Sequence, residues 1–289
     1  MGKYKILETR SADTWWGTRQ VIDLQRDIYE RLIIQVNLGS LSGGTSPAYI
    51  TNAALYAIND ITVETEGHVL TAIPQALYEL QKLETGTPPQ VSNTVANIEF
   101  WFTRNNRDFD YGVDFKKKNH LSIALNFRTL SSITTGSPTG TSGSVVKIIG
   151  VVAPVGIATM YGFMVNRTNQ LSATTEYPKA IEFKDSDKMF EKILLYTTTD
   201  ATQMTASSSV INWYTVRRGN FDMIYDHLPF DVSQAMDKKT YGVESVSTGV
   251  TVVDDLGVVP ASGSELYIDV MTSSASGYIT TLSKYAKPL

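Results

Sequence analysis

Cysteine is absent from all 289 residues, so no disulfide framework, thiolate metal site or thiol nucleophile can form, and cohesion must come from packing. Charge is sparse. Only 19% of residues are charged, the formal net charge is −4, and basic residues are scattered except at Lys116, Lys117 and Lys118. Without a basic face there is no electrostatic footprint for direct nucleic-acid binding. Long apolar runs are missing too. The stretch IIGVVAPVGIA at 148–158 falls well short of a bilayer span and contains Pro154, and the opening MGKYKILETRSADTWWGTRQ has no apolar signal core. The expectation is a soluble chain that is not exported by a standard signal.

What is present favours strands. Hydrophobic residues make up 42% of a chain rich in Thr, Ser, Tyr, Val and Ile, the usage of pleated, half-buried surface. At this length the chain can hold two ordinary domains or one large β-domain. RLIIQVNL (31–38) reads as a buried strand closed by Gly39. ALYAINDITVETEG (54–67) reads as a strand, a break at Asn59-Asp60, and an alternating strand with Ile61 and Val63 facing one way and Thr62 and Glu64 the other. A turn follows at Gly67. Ile73, Leu77, Leu80 and Leu83 then recur at helical spacing, with Pro74 in the first turn and Gly86 just past the end, which predicts a three-turn helix laid on a sheet.

Strands resume at NIEFWF (97–102). HLSIALNFRTL (120–130) sets Leu121, Ile123, Leu125 and Phe127 against Ser122, Ala124 and Asn126. The Gly/Ser/Thr/Pro tract 131–144 separates this from the apolar strand VVKIIGVVA (145–153). Residues 156–180 lose clear alternation and gain polar loop residues, which puts a domain boundary near 160.

The second half then echoes the first. FEKILLYTTTD (190–200) repeats YERLIIQVNLG (29–39), and residues 210–242 repeat the order of strand, glycine turn at Gly219, and proline-containing amphipathic segment ending at Gly242. The second helix is expected to begin only after Pro229. SELYIDVMTSS (264–274) turns Leu266, Ile268 and Val270 inward against Tyr267, Asp269 and Met271. Two halves, 1–160 and 161–289, thus form an internal duplication.

Catalytic constellations are thin. His68, His120 and His227 have no HxH or HExxH spacing, and there is no GxSxG or Walker sequence, so no enzyme and no organic cofactor is expected. Asp108, Asp110 and Asp114 gather around Gly112 and can hold Ca²⁺. Asp and Gly are equally what a plain hairpin uses, with Lys116 to Lys118 as a solvated ion cluster beside it. Trp15 and Trp16 suit either an arm that docks on a neighbour or a membrane interface, or a plug at the end of the first sandwich. Asn166-Arg167-Thr168 has the form of a glycosylation sequon, which carries little weight without a secretory signal. A carbohydrate-binding β-sandwich of lectin or adhesin type would use Trp101, Trp213 and Tyr214 as sugar platforms, although their strand-like setting also suits a core. A β-rich glycoside hydrolase would need paired carboxylates such as Asp110 and Asp114 in a cleft.

On YERLIIQVNLG, on ITVETEGHVLTAIPQALYELQKLETG, on the tract before VVKIIGVVAP and on the echo closing with SELYIDVMTSS, the chain resembles the double jelly-roll major capsid proteins of tailless icosahedral viruses and phages, many of which enclose a membrane. The resemblance spans nearly the whole chain. It implies an all-β fold of two tandem eight-stranded jelly rolls, each with a short inserted helix. It also implies a structural virion protein made in the host cytoplasm: a homotrimer with pseudo-hexagonal outline that meets other capsomers laterally, other capsid proteins at the vertices, and in some cases an underlying viral membrane.

Overall fold

A computed structural model describes residues 3–288 except 88, 104–110, 158, 185–187, 201, 203, 208, 220–221, 255 and 257–264. The chain divides into two compact units, Met1–Gly162 with Pro288–Leu289, and Phe163–Lys287.

In the first unit the main elements are β1 (Lys3–Ser11), β2 (Arg19–Asp23), β3 (Ile28–Asn37), β4 (Ile58–Thr65), β5 (His68–Ala72), α1 (Pro74–Thr85), β6 (Val95–Trp101), β7 (Leu121–Phe127) and β8 (Val145–Val152). One sheet runs β1-β8-β3-β6, and the other β2-β7-β4-β5. The start of β3 pairs instead with Tyr111–Asp114, to which Val155–Ile157 adds in parallel. The inward faces follow the alternation of the sequence: Leu32, Ile34 and Val36 of β3 and Leu121, Ile123 and Leu125 of β7 are all buried. Tyr29, Phe100, Phe102 and Phe115 fill one region of this core, with Phe102 edge-on to Phe115 at 5.0 Å between ring centres.

The second unit repeats the plan. Its elements are β9 (Thr159–Arg167), which leads in from the first unit, then β10 (Glu176–Phe183), β11 (Met189–Thr198), β12 (Ile211–Arg218), β13 (Asp222–Pro229), α2 (Phe230–Tyr241), β14 (Val250–Val253), β15 (Leu266–Thr272) and β16 (Tyr278–Pro288). Its sheets run β9-β16-β11-β14 and β10-β15-β12-β13. Strand for strand the order matches the first unit: first, eighth, third, sixth; second, seventh, fourth, fifth. In both, the helix falls between the fifth and sixth strands. The fold is therefore two tandem eight-stranded jelly rolls with a helix inserted in each. The duplicated segments occupy equivalent places: Tyr29 and Phe190 stand near the start of the third strands, and Gly67 (φ +76°) and Gly219 (φ +65°) turn the hairpin from fourth strand to fifth.

Three local expectations are corrected. Residues 54–57 do not open a strand. Ala53–Tyr56 is a single helical turn that buries Ala53, Ala54 and Leu55, and β4 then runs without a break through Asn59-Asp60. Asp60 pairs with Asn126 in the ladder and accepts hydrogen bonds from the side-chain amides of Asn59 (2.9 Å) and Asn126 (3.1 Å), while Asn59 is bulged out of the pairing between Ile58 and Asp60. Second, much of 156–180 is strand. Its alternation is hidden because β10 pairs irregularly with β15 between Tyr177 and Ile181, where Lys179 adopts φ +51°. Third, Tyr267 and Asp269 do not face water. Asp269 is buried, its charge offset by Arg217 (Nε to Oδ2, 2.7 Å) and its Oδ1 accepting from the Lys179 backbone N–H (2.7 Å). The tract 131–144 is also more ordered than a spacer: Thr134–Thr135 pairs with Ala48–Tyr49, and Gly140–Ser142 with Ser40–Ser42.

Candidate functional site

Both helices bridge the two sheets of their own roll and close the same flank. α1 packs on β6 of one sheet and β4 of the other, and α2 on β14 of one and on β12 and β13 of the other. Pro at or just before the first helical residue and a left-handed glycine at the end, Gly86 or Gly242, set both lengths. Five residues before that glycine each helix carries a polar clamp onto the sixth strand. In α1, Gln81 Nε2 donates to the Glu99 carbonyl at 3.2 Å. In α2, Asp237 Oδ2 accepts from the Val252 N–H (3.0 Å) and the Thr251 hydroxyl (2.7 Å). The Thr251 hydroxyl is also bonded to Ser233, which bonds the Tyr214 hydroxyl at 2.7 Å. Burial pushes the Asp237 carboxyl up to about 6, and nearby Asp254 adds to this, while the Thr251 and Val252 bonds pull it down.

A second buried polar group lies in the first unit. Arg31 Nη1 meets Glu30 Oε1 at 2.6 Å, its Nε meets Glu99 Oε2 at 3.4 Å, and its guanidinium lies 4.1 Å above the Trp101 ring. Burial raises the Glu99 carboxyl above its usual range, and Arg31 pulls it back. Neither cluster was read from the sequence. The available signal was a polar residue at core-facing helical spacing, Ser233 and Asp237 in one case and Gln81 in the other.

The residues singled out by sequence separate into several places. Trp15 and Trp16 lie between β1 and β2, half-buried and edge-on to Phe127 (5.4 and 6.0 Å between ring centres). Trp16 Nε1 donates to Thr141 Oγ1 (3.1 Å), and Thr141 donates to Asp13 Oδ1 (2.9 Å). Asp13 also accepts from the Ser144 and Gly143 N–H groups, so the β1–β2 connection is tied to the one before β8. Asp108 and Asp110 lie outside the described residues. Asp114 accepts from the Lys116 N–H and sits 3.7 Å from Lys117 Nζ, while Lys116 Nζ contacts Asp27 at 2.9 Å. Among the described residues, no three His, Asp or Glu side chains gather closely enough to hold a metal ion. His120 is exposed, His68 half-buried, and His227 packs against Trp213 with ring centres 4.2 Å apart and planes tilted by 46°. Of the aromatics suited to a sugar platform, Tyr214 is wholly buried and Trp101 lies beneath Arg31.

An open depression of about 650 Å³ in the first unit is lined by Leu38, Pro47, Tyr49, Thr94 and neighbouring Ser and Gly residues, with no charged side chain. It offers no acid, base or activated nucleophile. The exposed large apolar side chains are instead on strands and a helix: Tyr4, Ile6, Val21, Val69, Tyr111, Val155, Met223, Val232 and Met236.

No protein-family model and no curated protein matches the sequence. Solved structures do match, over almost the full chain. The crystal structure of the STIV major capsid protein superposes with a TM-score of 0.68 at 14% identity, covering 98% of this chain and 97% of that one. A chain from the atomic structure of Sulfolobus Turreted Icosahedral Virus gives 0.70 at 14% identity, covering 98% and 90%. The major capsid protein P2 from bacteriophage PM2 gives 0.62 at 13% identity, covering 99% and 98%. At such identities the likeness establishes the fold, a double jelly roll shared with these proteins.

Proposed function

We propose that the chain is the major capsid protein of a tailless icosahedral virus, a structural subunit of the virion with no catalytic role. One observation carries this: two jelly rolls with the same strand order and the same helix insertion follow each other in one chain. Three such chains around a threefold axis offer six similar rolls, and a subunit with a near-hexagonal outline can tile a flat facet. The full-length likeness to coat proteins of this architecture supports the same reading. Its partners are then copies of itself, first within the trimer and next between capsomers, with other capsid proteins at the vertices. Trp15 and Trp16, half-exposed in the β1–β2 connection, are candidates for contacts to such neighbours.

The purified protein is expected to run in light scattering as a trimer of about 96 kDa, three chains of 31.9 kDa, and to form hexagonal plates or closed shells in electron micrographs. A monodisperse monomer at micromolar concentration would count against it, because obligate contacts of the size needed by a shell do not dissociate there.

A further inference from the structure

We infer that the long connections at one end of the first roll form a binding site for a neutral oligosaccharide. This goes beyond the capsid reading and does not depend on the trimer. It starts from a difference between the two rolls, which share a strand plan but not their connections. In the first unit, residues 38–57 join the third strand to the fourth and residues 128–144 join the seventh to the eighth; the second unit makes the same two joins with 199–210 and 273–277. A jelly roll therefore closes without the added length. Long connections that a fold does not require are where binding sites are commonly built.

The added residues are held in place. Ser40–Ser42 pairs with Gly140–Ser142, and Ala48–Tyr49 with Thr134–Thr135. Gly44 and Gly136, both left-handed, pass so closely that a Cβ on either would meet backbone of the opposite connection at 2.1 or 2.3 Å. The Tyr49 hydroxyl donates to the Gly39 carbonyl (2.7 Å), the Gly39 N–H to Ser144 Oγ (3.0 Å) and the Leu38 N–H to the Thr94 carbonyl (2.7 Å). The depression of about 650 Å³ is lined by these same segments, so its shape is formed before any ligand arrives.

Its chemistry selects the ligand. In a chain that is 19% charged, residues 38–50 and 131–144 carry no charge at all, and Ser, Thr and Gly make up most of both. Asp13, which reaches this region from the β1–β2 connection, spends its two oxygens on Thr141, Ser144 and Gly143. An anion therefore meets no cation in the lining, and a cation no carboxylate. What the lining does present is the hydroxyls of Ser40, Thr94 and Ser142, none of them bonded to another described residue. Ser40 and Ser142 stand opposite each other in their ladder, which sets their Cβ atoms on one face roughly 5 Å apart. Leu38, Pro47 and the half-buried Tyr49 ring supply apolar contact beside them. Hydroxyls that both donate and accept, next to an aromatic ring and without charge, match the hydroxyl and C–H faces of a neutral sugar. Trp101, Trp213 and Tyr214 take no part, since none of them lines the depression.

The test is an array of neutral and acidic oligosaccharides, printed densely so that weak sites engage in parallel and probed with the purified full-length protein. Retention is expected on neutral glycans. The variant Ser40→Ala/Thr94→Ala/Ser142→Ala removes only hydroxyls without a partner in the chain, so it is expected to keep the melting temperature and to lose retention by about tenfold or more, the effect of two or three missing hydrogen bonds. Ser274→Ala/Ser276→Ala, which alters exposed hydroxyls in the short connection of the second unit, is expected to bind as the wild type does. Retention on no neutral glycan, or on acidic glycans alone, overturns the inference. Undiminished retention by the triple variant overturns it as well and puts any sugar site elsewhere. None of these results touches the capsid reading, which is decided by the mass in solution.

Discussion

Replacing Arg31 with methionine is expected to destabilise the first unit by about 3–5 kcal/mol, the cost of stranding buried charge after one partner is removed. Arg31 is 7% exposed and lies between Glu30 and Glu99. Methionine keeps most of the stem's packing over Trp101, so the cavity contribution is small and the electrostatic one dominates. Two carboxylates would then share an interior without that guanidinium. Glu99, whose carboxyl burial already raises above its ordinary range, would lose the Arg31 charge that pulls it back, so the loss is largest near neutral pH and shrinks as the pH falls towards the ordinary carboxylate range. The control is Arg19→Met. Arg19 pairs with Glu64 at 3.1 Å, but the side chains are 55% and 38% exposed, and such a pair contributes less than about 1 kcal/mol. Urea unfolding at pH 7.5 separates the two; equal midpoints for both variants would sink the expectation.

The second large effect has the opposite sign. Asp237→Asn is expected to stabilise the second unit at pH 7.5 by up to about 3 kcal/mol. Asp237 has an ordinary value of 3.8, raised by burial to about 6 in the fold, and each unit of difference is about 1.36 kcal/mol. A raised carboxyl favours the protonated folded state. Stability from this group is therefore fullest below pH 3.8, is lost as the pH climbs through about 6, and stays lost above. Asparagine keeps an oxygen that can accept from the Val252 N–H and the Thr251 hydroxyl but carries no charge, so the slope between pH 4 and 6 should vanish. Hydrogen exchange at the Val252 amide reads this locally. Identical pH profiles for the two proteins would show that Asp237 ionises without penalty.

Gln81 and Asp237 make the same kind of clamp at the same place in a repeated design, yet only the acid responds to pH. The halves have kept the geometry and changed its chemistry. α1 is held by Leu77, Leu80 and Leu83 and needs its amide for little more than one carbonyl; α2 has Ser233 and Asp237 inside and depends on a hydrogen-bond chain.

The two helices also show where sequence reasoning stops. α1 was legible because Ile73, Leu77, Leu80 and Leu83 recur at spacings of 4, 3 and 3, with Pro74 and Gly86 at the ends of the helix. Ala53–Tyr56 was not, because four residues are too few for a period, and the turn exists only where Ala53, Ala54 and Leu55 are covered by their surroundings. The inverted face of α2 was equally hidden. Pattern alone assigns Val232 and Met236 to a core and Asp237 to water, and only the partners of Asp237 reverse that.

By itself the sequence determined the all-β class, the tandem duplication, the helix in each half and the glycine turn before it, since these depend on short-range periodicity and on backbone conformations that few residues tolerate. The tertiary structure alone decided which charged groups lie inside and which apolar groups face outward. Burial is set by what other strands and helices bring alongside a residue, and a carboxylate at a helix position reads the same in the sequence whether water or Thr251 will meet it.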